Sequence, residues 1–201
     1  ASESLKIKGA THIKEKGMKT LNEVLRLPAD EFFGYIRGID YGYADATGAV
    51  HRISPSDDYA AQGGAPYRFS SPGQVVRNNC GWCWEIAELI RLWCERNDTE
   101  YKRVFLEYRS PGLHRTHTQV FAKRNGKWCE APDNTSPVLF GENGYDSAEA
   151  CISAFADLFR AYLKHELGEK YDESRLLVKE YRCEIPPGLT DEEYLSLVRG
   201  G

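Results

Sequence analysis

The sequence predicts an α+β domain, and three observations carry that prediction. Ile86, Leu89, Ile90, Trp93 and Cys94 recur at helical spacing over 83–96. Asn125-Gly126, the strongest short hairpin signal, separates two strand-like runs, His117–Phe121 and Lys127–Ala131. A second helical stripe, Cys151, Ile152, Phe155, Leu158, Phe159, Tyr162 and Leu163, ends at Gly168. The order is helix, strand, hairpin, helix, strand. A hairpin makes its strands antiparallel, so this order argues against a doubly wound parallel sheet.

The remaining elements follow from local signals. Thr20-Leu21-Asn22-Glu23 fits a capping box that opens a short helix through Leu27, stopped by Pro28. Asp30 to Arg37 reads as a second short helix. Gly38 to Gly73, rich in Gly, Asp, Ser and Tyr, reads as a long loop, either a binding rim or a variable surface excursion. In the helix over 83–96, Glu88, Arg91 and Glu95 fall off the apolar stripe, and Asn97-Asp98 ends it. Tyr101 to Tyr108 reads as a strand centred on Val104, Phe105 and Leu106. Asp146-Ser147-Ala148-Glu149 caps the second long helix, Leu176 to Ile185 reads as the last strand, and Thr190 to Glu193 opens a final short helix. One domain over 1–201 is expected, with a helical and loop extension over 1–65, a core over 66–145, and a helix, strand and short helix over 146–201.

Length and composition bound what such a domain does. At 201 residues the chain can bury a core without disulfides or a metal. Its 26 Lys and Arg against 30 Asp and Glu leave a net charge of -4, so no nucleic-acid partner is expected. No apolar run approaches the ~18 residues of a membrane span. Ala1 to Lys16 is polar and charged, unlike a signal peptide. The six cysteines are too sparse for a stapled scaffold, and four of them lie in apolar or periodic segments. Reduced thiols and a cytoplasmic setting are therefore expected. Nothing in the chain speaks to its oligomeric state.

Cys83 opens the helix over 83–96. Free N–H groups and the positive end of the helix dipole favour a thiolate there. Cys83 also lies on the apolar stripe, so its side chain should face whatever the helix packs on, and the base a nucleophile needs should come from that partner. His117, at the start of the hairpin, is the candidate base. The residue that orients its imidazole depends on register. A two-residue turn at Asn125-Gly126 sets His117 opposite Asn134, whereas a three-residue loop, Arg124-Asn125-Gly126, sets it opposite Asp133. Glu130 lies roughly 13 Å off along the strand in the first register and on the other face in the second. Asp133 is favoured, with Asn134 as the other candidate, since a Cys–His pair accepts either amide or carboxylate in the third role.

Cys80-Gly81-Trp82-Cys83 has rival readings. A Cys-x-x-Cys at a helix start is the layout of a dithiol oxidoreductase, but the βαβ context is missing. The same pair has zinc-ligand spacing, but no second pair completes four ligands, and His114 with His117 would do so only by accident of the fold. Neither a metal nor a cofactor is expected.

The run Tyr67-Arg68-Phe69-Ser70-Ser71-Pro72 to Gly81-Trp82-Cys83-Trp84-Glu85 resembles the entry to the catalytic helix of bacterial transglutaminase-like proteins. Thr116-His117-Thr118 to Lys127-Trp128-Cys129-Glu130-Ala131-Pro132-Asp133 resembles their His-bearing and acid-bearing strands. The resemblance covers about residues 66 to 145 and rests on order and spacing rather than on any one motif. It implies a papain-like fold, with an N-terminal catalytic helix packed on an antiparallel sheet, and a Cys83–His117–Asp133 triad. Three features depart from the family pattern: the expected acid position holds Pro132, a Trp-x-Glu pattern of some relatives would point to Glu130, and Gln119 stands where an aromatic is usual. The superfamily includes transglutaminases, cysteine peptidases, peptide N-glycanases and inactive members. The function expected is a cysteine peptidase or amidase acting on a peptide or isopeptide amide of a peptide or protein substrate. Transfer to an amine, dithiol redox chemistry and a silent binding module are the alternatives.

Overall fold

The computed structural model describes residues 19–54 and 66–200. The reading of Ala1 to Lys16, and the part of the 38–73 reading over 55–65, lie outside them. Two short helices come first, α1 (Leu21–Leu25) and α2 (Ala29–Ile36). The capping box at α1 forms as read: Glu23 N–H donates to Thr20 Oγ1 and Thr20 N–H donates to Glu23 Oε2.

The loop reading of Gly38 to Gly73 is overturned. It contains β1 (Gly42–Asp45), β2 (Val50–Arg52) and β3 (Tyr67–Arg68), which form an antiparallel sheet in the order β2-β1-β3. Strands this short carry no readable alternation. Gly42 is required there: a Cβ would lie 2.1 Å from the His51 carbonyl oxygen and 2.8 Å from Cys80 Sγ. A third short helix, α3 (Pro72–Asn78), also went unread, although Ser71 and Gln74 make a capping box around it.

From there the order agrees with the reading. α4 (Cys83–Arg96) is followed by β4 (Tyr101–Ser110), β5 (Leu113–Arg124), β6 (Lys127–Ala131), α5 (Ala148–Leu167), β7 (Leu176–Tyr181) and α6 (Asp191–Gly200). The last strand stops at Tyr181, short of the expected Ile185. The second sheet is antiparallel throughout, in the order β6-β5-β4-β7. The described residues thus make a mixed α and β structure with two antiparallel sheets and six α-helices.

Alternation along β5 divides the core. Val120 and Ala122 face α4, packing with Ile86, Leu89, Ile90 and Trp93. Phe121 faces the other way, with Val104, Leu106, Cys151 and Phe155 under α5. Helix α6 lays Tyr194, Leu195 and Val198 against Phe105, Trp84 and Tyr181, and Arg199 near its end donates to Glu107 Oε2 at 2.7 Å.

The hairpin turn has two residues. Asn125 (φ 51°) and Gly126 (φ 80°) are both left-handed, which matches the twist of the strands they join. Arg124 pairs with Lys127 and Val120 with Ala131, so the three-residue loop that would set Asp133 opposite His117 does not form. Glu88 is a second surprise. It lies off the apolar stripe but is buried, because Arg103 of β4 brings its counter-charge to it, with the guanidinium 4.5 Å over the Tyr181 ring.

Candidate active site

The first turn of α4 is held by a buried polar network. Glu85 is 0% exposed. Its Oε2 accepts from the Trp82 N–H at 3.4 Å, and its Oε1 accepts from the Tyr67 hydroxyl at 2.5 Å and the Ser70 N–H at 3.4 Å. The Trp82 indole N–H in turn donates to the Tyr67 oxygen at 3.3 Å. Burial pushes the Glu85 carboxyl up to about 8, against the opposing pull of those hydrogen bonds. Trp82 and Trp84, on either side of Cys83, are themselves buried among Tyr43, Tyr67 and Tyr194, with Trp84 stacked 4.2 Å from the Tyr194 ring.

Cys83 is 7% exposed at the head of this helix. His117 reaches toward it from β5, close enough for the Cys83 sulfur to act on the imidazole. The imidazole is 21% exposed and stacks 5.6 Å from the Phe155 ring of α5. Burial works against its charged form. The influence of the Cys83 sulfur, the charge of Asp133 and a hydrogen bond to Gln119 outweigh that, and the His117 pKa rises to about 9.

Asp133 Oδ2 lies 3.9 Å from His117 Nε2. Register does not bring it there. The β5–β6 ladder ends at Ala131, and past Pro132 the chain leaves it in an Asp-anchored turn. Asp133 Oδ1 accepts from Thr135 N–H (2.7 Å), Thr135 Oγ1 (2.8 Å) and Ser136 N–H (2.9 Å), which aims Oδ2 at the imidazole. Oδ2 is buried and has no hydrogen-bond partner among the described residues.

The other candidates are placed elsewhere. Asn134 does not face His117: its Nδ2 donates to the Gly81 carbonyl at 2.9 Å and the Ile39 carbonyl at 3.2 Å, clamping the turn before α4 to the chain that leads into β1. Glu130 pairs across the ladder with Phe121 and accepts from Ser136 Oγ at 2.9 Å. Burial raises its carboxyl, Ser136 and the His117 charge pull it down, and Asp133 raises it further. Its own hydrogen bond goes to serine. Cys80 is buried, its thiol directed at the His51 carbonyl oxygen at 4.0 Å. Burial is the main cause that pushes it up to about 11, with Arg52 lowering it and Asp40 and Glu85 raising it. All six cysteines are unpaired.

Tyr41 is a neighbour the sequence did not reveal. Burial, followed by the charges of Cys83, Asp133 and Glu85, raises its phenol. It lies between Gly38 and Gly73, where no motif could mark it. Cavities of about 690 and 530 Å³ open elsewhere, one around Glu95 and Tyr101, the other around Arg68 and Arg77, and Cys83 lines neither. No family model and no curated protein sequence matches the chain. The chemistry of the site rests on this geometry: a helix-start thiol, an imidazole near it, and a buried carboxylate oxygen 3.9 Å from the imidazole.

Proposed function

We propose that the protein is a thiol-dependent acyl-transfer enzyme, a cysteine peptidase or amidase of the transglutaminase-like kind with a papain-like core. One observation carries this reading: His117 stands between the head of α4 and Asp133, whose Oδ2 lies 3.9 Å from Nε2, and the Cys83 sulfur leads the influences that raise its pKa. Such a pair favours thiolate and imidazolium over thiol and imidazole.

In the proposed reaction the Cys83 sulfur attacks an amide carbonyl of a peptide or protein substrate. His117 gives its proton to the departing amine nitrogen, leaving a thioester. The imidazole then takes a proton from water as the water attacks the thioester, and the acid product and free thiol are restored. Asp133 stabilises the imidazolium across 3.9 Å. The oxyanion falls to the N–H groups of the first turn, Cys83's own among them. Glu85 already holds the Trp82 N–H, which restricts the hole to groups past that residue. The dithiol alternative is disfavoured by Cys80, whose buried thiol is raised to about 11 and turned toward His51.

An activated peptide ester tests the reading. Intact-mass analysis should show one acyl group on the wild-type protein, released by hydroxylamine, and none on Cys83→Ala. Acylation in which Cys83→Ala matches wild type would overturn it. Adding a primary amine to the reaction then separates hydrolysis, the outcome expected here, from transfer to the amine.

A further inference from the structure

The residue that hydrogen-bonds His117 is not the carboxylate assigned to it. Asp133 Oδ2 stands 3.9 Å from Nε2, beyond hydrogen-bond range. Gln119 Oε1 stands at 3.2 Å from the same nitrogen. Gln119 shares the His117 face of β5, two residues on, and is 1% exposed.

The orientation of the Gln119 amide is set by its surroundings. Its Nε2 donates to the Ala131 carbonyl at 2.7 Å and the Val120 carbonyl at 3.0 Å. Carbonyl oxygens only accept, so turning the amide over would set its oxygen against both of them. The oxygen must therefore face His117. An amide oxygen also only accepts, so His117 Nε2 must carry a hydrogen. In the neutral imidazole the lone pair then falls on Nδ1, the nitrogen left for Cys83.

We infer that Gln119 is the positioning residue that holds the proton on His117 Nε2, and that the third role of the triad is divided between Gln119, which sets direction, and Asp133, which supplies charge. The inference rests on the acyl-transfer reading above and deepens it. The proton moves from Cys83 Sγ to His117 Nδ1, leaving a thiolate and an imidazolium whose Nε2–H remains on Gln119 throughout. The other groups around the ring are Glu130 of β6, felt through its charge, and Phe155 of α5, which brings none.

Two measurements decide it. In the wild-type protein, nitrogen-15 spectra of the histidines, taken above pH 9 where the His117 imidazole is neutral, should show His117 with its hydrogen on Nε2. A hydrogen on Nδ1 would overturn the inference. Iodoacetamide alkylation of Cys83 at pH 7 then compares variants. Gln119→Met, which removes the acceptor, should slow alkylation by about tenfold, the equivalent of one pKa unit in the pair. Gln119→Glu, which keeps an acceptor but loses both donors, should react at least as fast as wild type. If Gln119 only ties Ala131 and Val120 together, Gln119→Glu will be as slow as Gln119→Met, and the inference fails. Should Gln119→Met not fold, the wild-type spectrum and Gln119→Glu still decide. His117→Ala distinguishes the two levels. If it leaves alkylation unchanged, the catalytic reading itself fails. If it slows alkylation while both Gln119 variants match wild type, only the role of Gln119 is lost.

Discussion

The two halves of α4 live in different surroundings. From Ile86 onward its inner face is apolar: Ile86, Leu89, Ile90, Trp93 and Cys94 pack on Val120 and Ala122 of the sheet and on Val24, Phe32 and Phe33 of the first two helices. Its N-terminal half is aromatic and polar, with Cys83, Trp84 and the buried Glu85 set among Tyr43, Tyr67, Trp82 and Tyr194. Non-directional burial of apolar area holds the first region and tolerates small shifts. Directional bonds hold the second, where a hydroxyl or N–H out of place leaves a buried group unpaired. The helix uses one end to anchor itself and the other to hold a thiol in a defined place.

That contrast can be broken most severely at Cys83. Cys83→Ala should abolish acylation by a peptide ester while changing the unfolding free energy by about 1 kcal/mol or less, as read from urea midpoints. A large loss of stability would mean that the thiol is core rather than chemistry. At the other end, Leu89→Ala should behave in reverse. Leu89 is fully buried, so its truncation should cost about 2–5 kcal/mol in the same urea measurement. The alkylation rate of the protein that remains folded should hold. A cost under about 1 kcal/mol would show that this half is loosely packed.

Titration sharpens the comparison further. Glu85 is raised from 4.5 to about 8, and His117 from 6.5 to about 9. Both bind protons more tightly folded than unfolded, so each contributes stability that is complete below its unfolded pKa and lost as pH rises through its folded one. Stability should therefore decline from mildly acidic pH up to about pH 9, the Glu85 part by about 8. Glu85→Gln should flatten the lower part of the slope in urea midpoints taken from pH 5 to 10. A slope unchanged in that variant would remove Glu85 from the account. The smallest effect is expected at Cys80→Ser, which should leave Cys83 alkylation at neutral pH as it was. A marked change would revive the dithiol.

Much of this was legible where structure is local. α4 begins at Cys83 and ends at Arg96 because its stripe and stop signals are contiguous, and β6 runs from Lys127 to Ala131 because Asn125-Gly126 defines the turn before it. That Cys83 opens a helix and His117 lies in a hairpin strand is legible because a helix start and a hairpin strand each mark themselves. Asp133 was named for a reason that does not hold: the turn has two residues, and the carboxylate arrives through the Thr135–Ser136 turn after the ladder ends. The strands of the first sheet are two to four residues long, below what a period can reveal.

The sequence by itself determined five of the six α-helices among the described residues, the long hairpin, and that a thiol heads a helix facing a histidine-bearing strand. These follow from neighbours within a few positions, through periodicity, caps and a left-handed turn. Only the tertiary structure decided which carboxylate stands behind the imidazole, that Gln119 rather than that carboxylate bonds it, that Glu85 is buried on the Tyr67 hydroxyl, and that Glu88 is buried on Arg103. Each of those depends on where distant backbone carbonyls and charges end up, and hydrogen bonds a few tenths of an ångström apart in length are not written in spacing along a chain.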